Sequence, residues 1–166
     1  TNTGSYDAWI AKYDNNGKEL WHKQFGTSNY DAIFGIDTDK FGNVYLEGST
    51  EGDLFAPRKT ETNDFWVAKL DSNGNQLWGQ QFGTNDYAIG SRDIDVDDNG
   101  NVSISGVIVK QNTRPDLFNS PVEDDAFVTQ YDANGNQKWF KEIGNFSFDE
   151  SYAVALDQTG NTYTAG

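Results

Sequence analysis

Four acidic side chains crowd one short stretch of the chain and could hold a metal ion. In DVDDNG, residues 95–100, Asp95, Asp97 and Asn99 alternate before a Gly, as in the first half of a calcium loop. Asp93, Asp95, Asp97 and Asp98 would repel one another without a cation. The position that should carry a bidentate Glu is Gly106, and the flanks are strand-like, so a helix-flanked calcium loop is excluded. The stretch favours a turn, with calcium binding left open as the alternative.

The motif D-x-x-G occurs six times and favours turns over metal sites. Asp at the first position accepts hydrogen bonds from backbone N–H groups two residues on, and Gly at the fourth supplies a left-handed backbone. Every residue of the motif therefore has a role in a hairpin. The six stretches are 14–17, 39–42, 71–74, 97–100, 132–135 and 157–160.

Catalytic chemistry has little support in the sequence. The chain has one histidine, His22, and no cysteine, and it lacks the G-x-S-x-G and H-E-x-x-H motifs. Pairs of carboxylates could serve glycoside hydrolysis, but 26 acids make such pairs expected by chance. We predict a non-catalytic protein that requires no cofactor, and a fragment of a glycoside-active enzyme is a less favoured alternative.

Composition limits the classes of partner. The formal net charge of -14 disfavours nucleic acid and anionic membrane surfaces. No apolar run approaches the ~20 residues that cross a bilayer. An acidic, cysteine-free chain rich in Asn, Asp, Gly and Thr is typical of secreted and surface proteins, so we expect an extracellular or cell-surface location. Met is absent at position 1 as elsewhere, from which we expect a piece of a longer protein.

Three repeats determine the predicted architecture. The units span 7–50, 64–108 and 125–166, joined by connectors 51–63 and 109–124. Each holds four short runs rich in β-branched and aromatic residues, bounded by turn residues, which predict strands. In the first run both alternating sets are apolar, as expected for a sheet covered on both faces. The chain is therefore predicted to be all-β, a single fragment of a β-propeller with three four-stranded antiparallel blades.

The repeat resembles a known family. DAFVTQYDANGNQKW, 125–139, and AVALDQTGNTYTAG, 153–166, are similar to the SBBP beta-propeller repeat. The first two units depart from that pattern through extra Asp residues in their third runs. The resemblance implies a propeller of bacterial extracellular or surface proteins, and it implies no catalytic residues.

Three blades do not close a ring, because propellers have about four to eight. We expect either further blades of the same protein or self-association to complete the ring.

A binding surface is predicted where the variable loops gather. Because strand direction alternates, the six uniform turns share one rim and the variable loops share the other. Exposed aromatics beside acids and amides suit a protein or a glycan. We predict a structural scaffold that also binds such a partner, with a calcium-dependent assembly module as the alternative. The candidate contact residues are Tyr30, Asp31, Asn85, Asp86, Tyr87, Phe146, Phe148, Asp149 and Glu150.

Overall fold

The computed structural model describes residues 4–59, 63–83, 87–110, 124–144 and 148–166. Within these ranges the regular structure is entirely β-strand, and no helix is long and apolar enough to cross a membrane. The twelve strands are β1 (Ala8–Tyr13), β2 (Glu19–Phe25), β3 (Asp31–Thr38), β4 (Val44–Thr50), β5 (Asp64–Leu70), β6 (Gln76–Phe82), β7 (Tyr87–Val96), β8 (Val102–Lys110), β9 (Asp124–Tyr131), β10 (Gln137–Ile143), β11 (Ala153–Leu156) and β12 (Thr162–Ala165).

The strands form two complete antiparallel sheets and two pairs. Sheet A has the order β3-β4-β5-β6, and sheet B has the order β7-β8-β9-β10. β1 pairs with β2, and β11 pairs with β12. Each sheet runs through consecutive strands, as a propeller blade does, so the predicted all-β architecture of four-stranded blades is confirmed.

The sheets are offset by two strands from the sequence units 7–50, 64–108 and 125–166. β4 pairs with β5 along its whole length, from Val44 opposite Leu70 to Thr50 opposite Asp64. Connector 51–63 therefore joins two neighbours within sheet A, and connector 109–124 does the same between β8 and β9. This corrects the predicted blade boundaries, because a repeat in sequence does not reveal which of its strands begins the sheet.

The six D-x-x-G stretches are the hairpin turns that the sequence predicts. Their glycines have φ between 78° and 84°, in the left-handed region that glycine adopts without a Cβ penalty. In the second turn, Asp39 Oδ1 accepts hydrogen bonds from the backbone N–H groups of Phe41 and Asn43, at 2.9 and 3.0 Å. The same two bonds recur at the other five turns, which fixes the hairpin register.

The core lies between neighbouring sheets. Trp66, Ala68 and Leu70 of β5 pack with Ile10 of β1, whereas Phe65 and Val67 on the opposite face pack with residues of sheet B. Both faces of β5 are therefore buried, as its two apolar alternating sets predict. Each large side chain buried this way stabilises the fold by roughly 1.5 to 3 kcal/mol.

Tryptophans on β2 and β6 each donate a hydrogen bond to a hairpin turn of the following sheet. Trp21 on β2 donates its indole N–H to the carbonyl of Ser72, at 3.1 Å, in the β5–β6 turn. Trp78 on β6 donates to the carbonyl of Ala133, at 3.0 Å, in the β9–β10 turn. These two residues pack at the seams between sheets.

Candidate functional site

The two rims of the array differ. The rim that holds the six hairpin turns is called the hairpin rim here. The opposite rim, called the loop rim, holds the links β2–β3, β6–β7 and β10–β11 and the connectors β4–β5 and β8–β9. This arrangement follows from the alternating strand direction, which places the strand ends that flank the variable segments on one side.

On the loop rim, the connector after β4 is an anchored segment. Gln81 Oε1 accepts the backbone N–H groups of Leu54 and Phe55, each at 3.0 Å. The Phe55 ring lies 5.6 Å from that of Trp66, and a Cβ on Gly79 would collide with it. The ring of Phe55 thus fills the seam beside β5 and β6.

The first two predicted contact residues hold a loop in place. Asp31 is 2% exposed, and its carboxylate accepts hydrogen bonds from Thr27 N–H at 2.6 Å and Thr50 Oγ1 at 2.5 Å. Tyr30 is half-buried and lies with its ring 5.8 Å from that of Tyr6. The structure therefore buries the carboxylate of Asp31 at the start of β3, where a ligand does not reach it.

Three of the predicted contact residues border one depression. It measures about 450 Å³ and is lined by Phe148, Asp149, Glu150, Tyr152 and Ile143, among others. Phe148 is 68% exposed and Tyr152 is 63% exposed. The pKa of Tyr152 is raised by two effects of Glu150, first a hydrogen bond between the two side chains and second the negative charge of the carboxylate. Of the remaining predicted residues, Asn85, Asp86, Phe146 and the side chain of Tyr87 lie outside the described residues.

Three residues at one repeated position were missed by the sequence analysis. Phe34, Arg92 and Tyr152 each precede the turn Asp of their hairpin by five residues. Phe34 and Arg92 are the extra residues of β-bulges in β3 and β7. Bulges redirect side chains and often lie next to binding sites. Strict alternation does not predict where a bulge residue points, so these residues could not be identified from the sequence pattern.

Arg92 connects this position to the predicted residues. Its Nη2 lies 3.3 Å from Oε2 of Glu150. The positive charge of Arg92 lowers the pKa of Tyr152, but the opposite effect of Glu150 is larger. Midway along β7, the guanidinium of Arg92 thus meets the carboxylate of Glu150 and acts on the exposed Tyr152, both in the segment before β11. We call Arg92, Phe148, Glu150 and Tyr152, together with Phe34 at the equivalent position of β3, the rim surface.

The four acids of the stretch 93–98 do not share one site in the structure. β3, β7 and β11 are neighbouring strands of successive sheets, and carboxylates link them. Asp93 Oδ2 accepts the N–H of Val154 at 2.8 Å, and Asp95 Oδ2 accepts the N–H of Leu156 at 2.5 Å.

The other two acids of that stretch lie on the hairpin rim. Asp97 belongs to a turn, where burial raises its pKa but hydrogen bonds from Asn101 and Asn99 outweigh burial and lower it. Asp98 lies 4.0 Å from Lys40. Across the part of the chain that the structure describes, no three His, Cys, Asp or Glu residues are grouped as metal ligands are.

A second depression of about 220 Å³ lies in the seam between sheets A and B. Phe65 and Phe82 line it from sheet A, and Phe127 and Phe140 line it from sheet B. Phe140 stands at the position of Gly79 and stacks on Phe127 with ring centroids 5.5 Å apart. Its ring thus makes in sheet B the contact that Phe55 makes with Trp66 in sheet A.

Comparison with known proteins agrees with this architecture. The chain is 31% identical, over 115 residues and 66% of its length, to the regulatory protein FlaEY of Caulobacter vibrioides, of which the match covers 12%. Residues 20–56, from β2 into the β4–β5 connector, match the family model of the beta-propeller repeat SBBP. The four-stranded sheets and this match together show that the chain carries the SBBP beta-propeller repeat.

Proposed function

We propose that the chain is a non-catalytic β-propeller module that serves as a scaffold and binds a protein or a glycan through the rim surface. The observation that carries this proposal is the grouping of Arg92, Glu150 and Tyr152 beside the exposed ring of Phe148. Exposed aromatics and arginine are the residue types that dominate binding energy at interfaces.

The chemistry of the rim surface favours a ligand with both apolar and polar faces. Aromatic rings stack on sugar rings or on apolar side chains, while Arg92 and Glu150 offer a donor and an acceptor that are already paired in the free protein. A ligand that replaces this ion pair has to supply both partners again. This requirement would give the surface specificity beyond simple apolar contact.

The proposal extends to location and to the role of the longer protein. An acidic, cysteine-free composition suits an extracellular or cell-surface protein. The name of the relative in Caulobacter vibrioides describes it as regulatory, which suits a binding role better than a catalytic one. Since the chain matches 12% of that relative, the module would act as one part of a larger protein.

Ring completion forms part of the scaffold proposal. Trp9 on β1 is 70% exposed, whereas Trp66 and Phe127, at the same position of β5 and β9, are 0% exposed. The face that carries Trp9 thus corresponds to faces that pack against a neighbouring sheet. A further sheet, from a second copy or from more of the same protein, fits that face.

The binding proposal can be tested with an immobilised glycan array and a peptide library. We expect the wild-type chain to bind members of one of these two sets, and the variants Tyr152→Ala, Phe148→Ala and Arg92→Ala each to weaken that binding at least tenfold. Phe41→Ala is the matched control, because Phe41 is 71% exposed but lies on the hairpin rim. Equal loss in the control, or binding unchanged in all three rim variants, would contradict the proposal.

A further inference from the structure

A carboxyl group is sealed in the seam between sheets A and B. Glu47, in the middle of β4, is 0% exposed. Its Oε2 accepts a hydrogen bond from the hydroxyl of Ser91 on β7. Gly35 lies opposite Glu47 in the β3–β4 register, and a Cβ there would lie 2.6 Å from Oε1. The backbone of β3 therefore makes room for this side chain.

The surroundings of Glu47 disfavour a negative charge. Within the described ranges of the chain, Oε1 has no hydrogen-bond partner. The charged groups that act on it are Asp93 and Arg92, both on β7. Burial, then the charge of Asp93, raise the pKa of Glu47 to about 8, and Arg92 opposes this rise. At neutral pH the carboxyl is accordingly neutral, which is unusual for glutamate.

The propeller repeat does not require an acid at this position. The equivalent residue, five after the turn glycine, is Ser105 in β8 and Ala165 in β12. Both are small and uncharged, and Ser105 is also fully buried. Glu47 is thus a feature of one seam only, placed where a smaller residue fits the fold.

We propose that Glu47 is a proton-controlled lock between sheets A and B, closed through Ser91 while its carboxyl is neutral and opened when the carboxyl ionises. The ionised group has one hydrogen-bond donor, Ser91, and an acidic neighbour, Asp93. It therefore gains from drawing in Arg92 or water, and either movement disturbs the seam. This inference rests on the seam alone and does not depend on any ligand of the rim surface.

Ionisation of Glu47 should also affect the ion pair between Arg92 and Glu150. Arg92 lies between two acids, since it pairs with Glu150 at 3.3 Å and acts electrostatically on Glu47. While Glu47 is neutral, Glu150 is the stronger attraction for the guanidinium. Ionisation of Glu47 supplies a buried competitor, so Arg92 is drawn away from Glu150 as the pH rises.

The direct test follows the side-chain carboxyl carbon of Glu47 by NMR in the whole 166-residue chain, labelled with ¹³C, from pH 4 to pH 10. We expect its midpoint near pH 8, against about 4.3 for an exposed glutamate. Arg92→Ala should move this midpoint upward, because it removes the opposing positive charge. A midpoint near that of exposed glutamates would overturn the proposal.

Unfolding at several pH values gives an independent test. From pH 4.5 to pH 8, the folded state keeps a proton that the unfolded state has lost, so stability falls as the pH rises. In the wild type, the folding equilibrium constant should fall by up to about a thousandfold over this pH range. Glu47→Gln, whose side chain is neutral at every pH, should not show this fall. Ser105→Ala, at the same position of sheet B, should leave the pH dependence as in the wild type. Identical pH profiles for the wild type and Glu47→Gln would contradict the lock.

Discussion

Asp37 on β3 accepts a hydrogen bond from the backbone N–H of Val96 on β7, with 2.8 Å between Oδ2 and the nitrogen. Asp95 on β7 repeats this contact one sheet later, with Leu156 of β11 at 2.5 Å. A carboxylate of one sheet thus satisfies a backbone donor of the next. Asp37, Asp93 and Asp95, which are among the extra acids of the first two repeats, are inter-sheet links and mark where the sheets meet.

We predict that Asp95→Ala weakens the junction between β7 and β11. The substitution leaves the N–H of Leu156 without its acceptor, and loss of a hydrogen bond to a charged group costs about 1.5 to 3 kcal/mol. Urea unfolding measures this loss. Asp98→Ala is the control, since Asp98 is half exposed and its carboxylate lies 4.0 Å from the Lys40 ammonium. Equal stability of the two variants would show that the carboxylate of Asp95 does not hold the junction.

The indole nitrogen of Trp78 provides a second prediction. Trp78→Phe keeps an aromatic ring in the seam but removes the donor to the carbonyl of Ala133, and we expect a loss of about 1 kcal/mol on top of the smaller packing change. Trp139→Phe is matched in type and strand position, and the indole N–H of Trp139 has no partner among the described residues. Unfolding free energies of both variants decide the point, and a difference below about 0.3 kcal/mol would refute the link.

The stability of the fold should decrease at acidic pH because of the aspartates in the hairpin turns. Hydrogen bonds from Asn75 and from nearby backbone N–H groups lower the pKa of Asp71, and Asp132 and Asp157 show the same direction through Asn136 and Asn161. A lowered carboxyl pKa contributes stability that is present above the unfolded value of 3.8 and is lost as the pH falls below it. We expect the thermal midpoint to drop between pH 4 and pH 2, and Asp71→Ala to make that drop smaller. An unchanged slope in this variant would assign the effect to other groups.

The exposed face of β1 predicts association of the purified chain. If the face that carries Trp9 packs like its buried equivalents in β5 and β9, copies of the chain should associate, and Trp9→Ser should shift the population towards monomer. Sedimentation velocity at several concentrations measures the mass directly. A monomer at every concentration would contradict association through this face.

Local sequence patterns predicted the strands and turns. The blade boundaries depend on pairing between strands that lie far apart in the chain, and local patterns do not reveal that pairing. Each D-x-x-G turn and each alternating run is specified within about ten residues, and all of these were confirmed. The blade boundaries were wrong because β4 and β5 pair across connector 51–63, while the shorter β2–β3 link crosses between sheets. A repeat shows its period but not the strand at which a sheet begins.

The candidate site was less predictable for the same physical reason. Asp31 is buried against Thr27 and Thr50. Thr27 is a near neighbour in the chain, but Thr50 lies at the end of β4, so its contact with Asp31 cannot be read from the local sequence. Phe34 and Arg92 leave the alternation of their strands because each is the extra residue of a bulge. A bulge is set by pairing with the neighbouring strand, so the sequence of one strand does not show it.

The most direct test of the binding proposal is an NMR titration of the isotope-labelled chain with the tightest ligand found on the glycan array or in the peptide library. We predict that the largest chemical-shift changes fall on Phe34, Arg92 and residues 148–152 of the loop rim. Changes centred on the six hairpin turns instead would place the binding surface on the opposite rim and contradict the proposal.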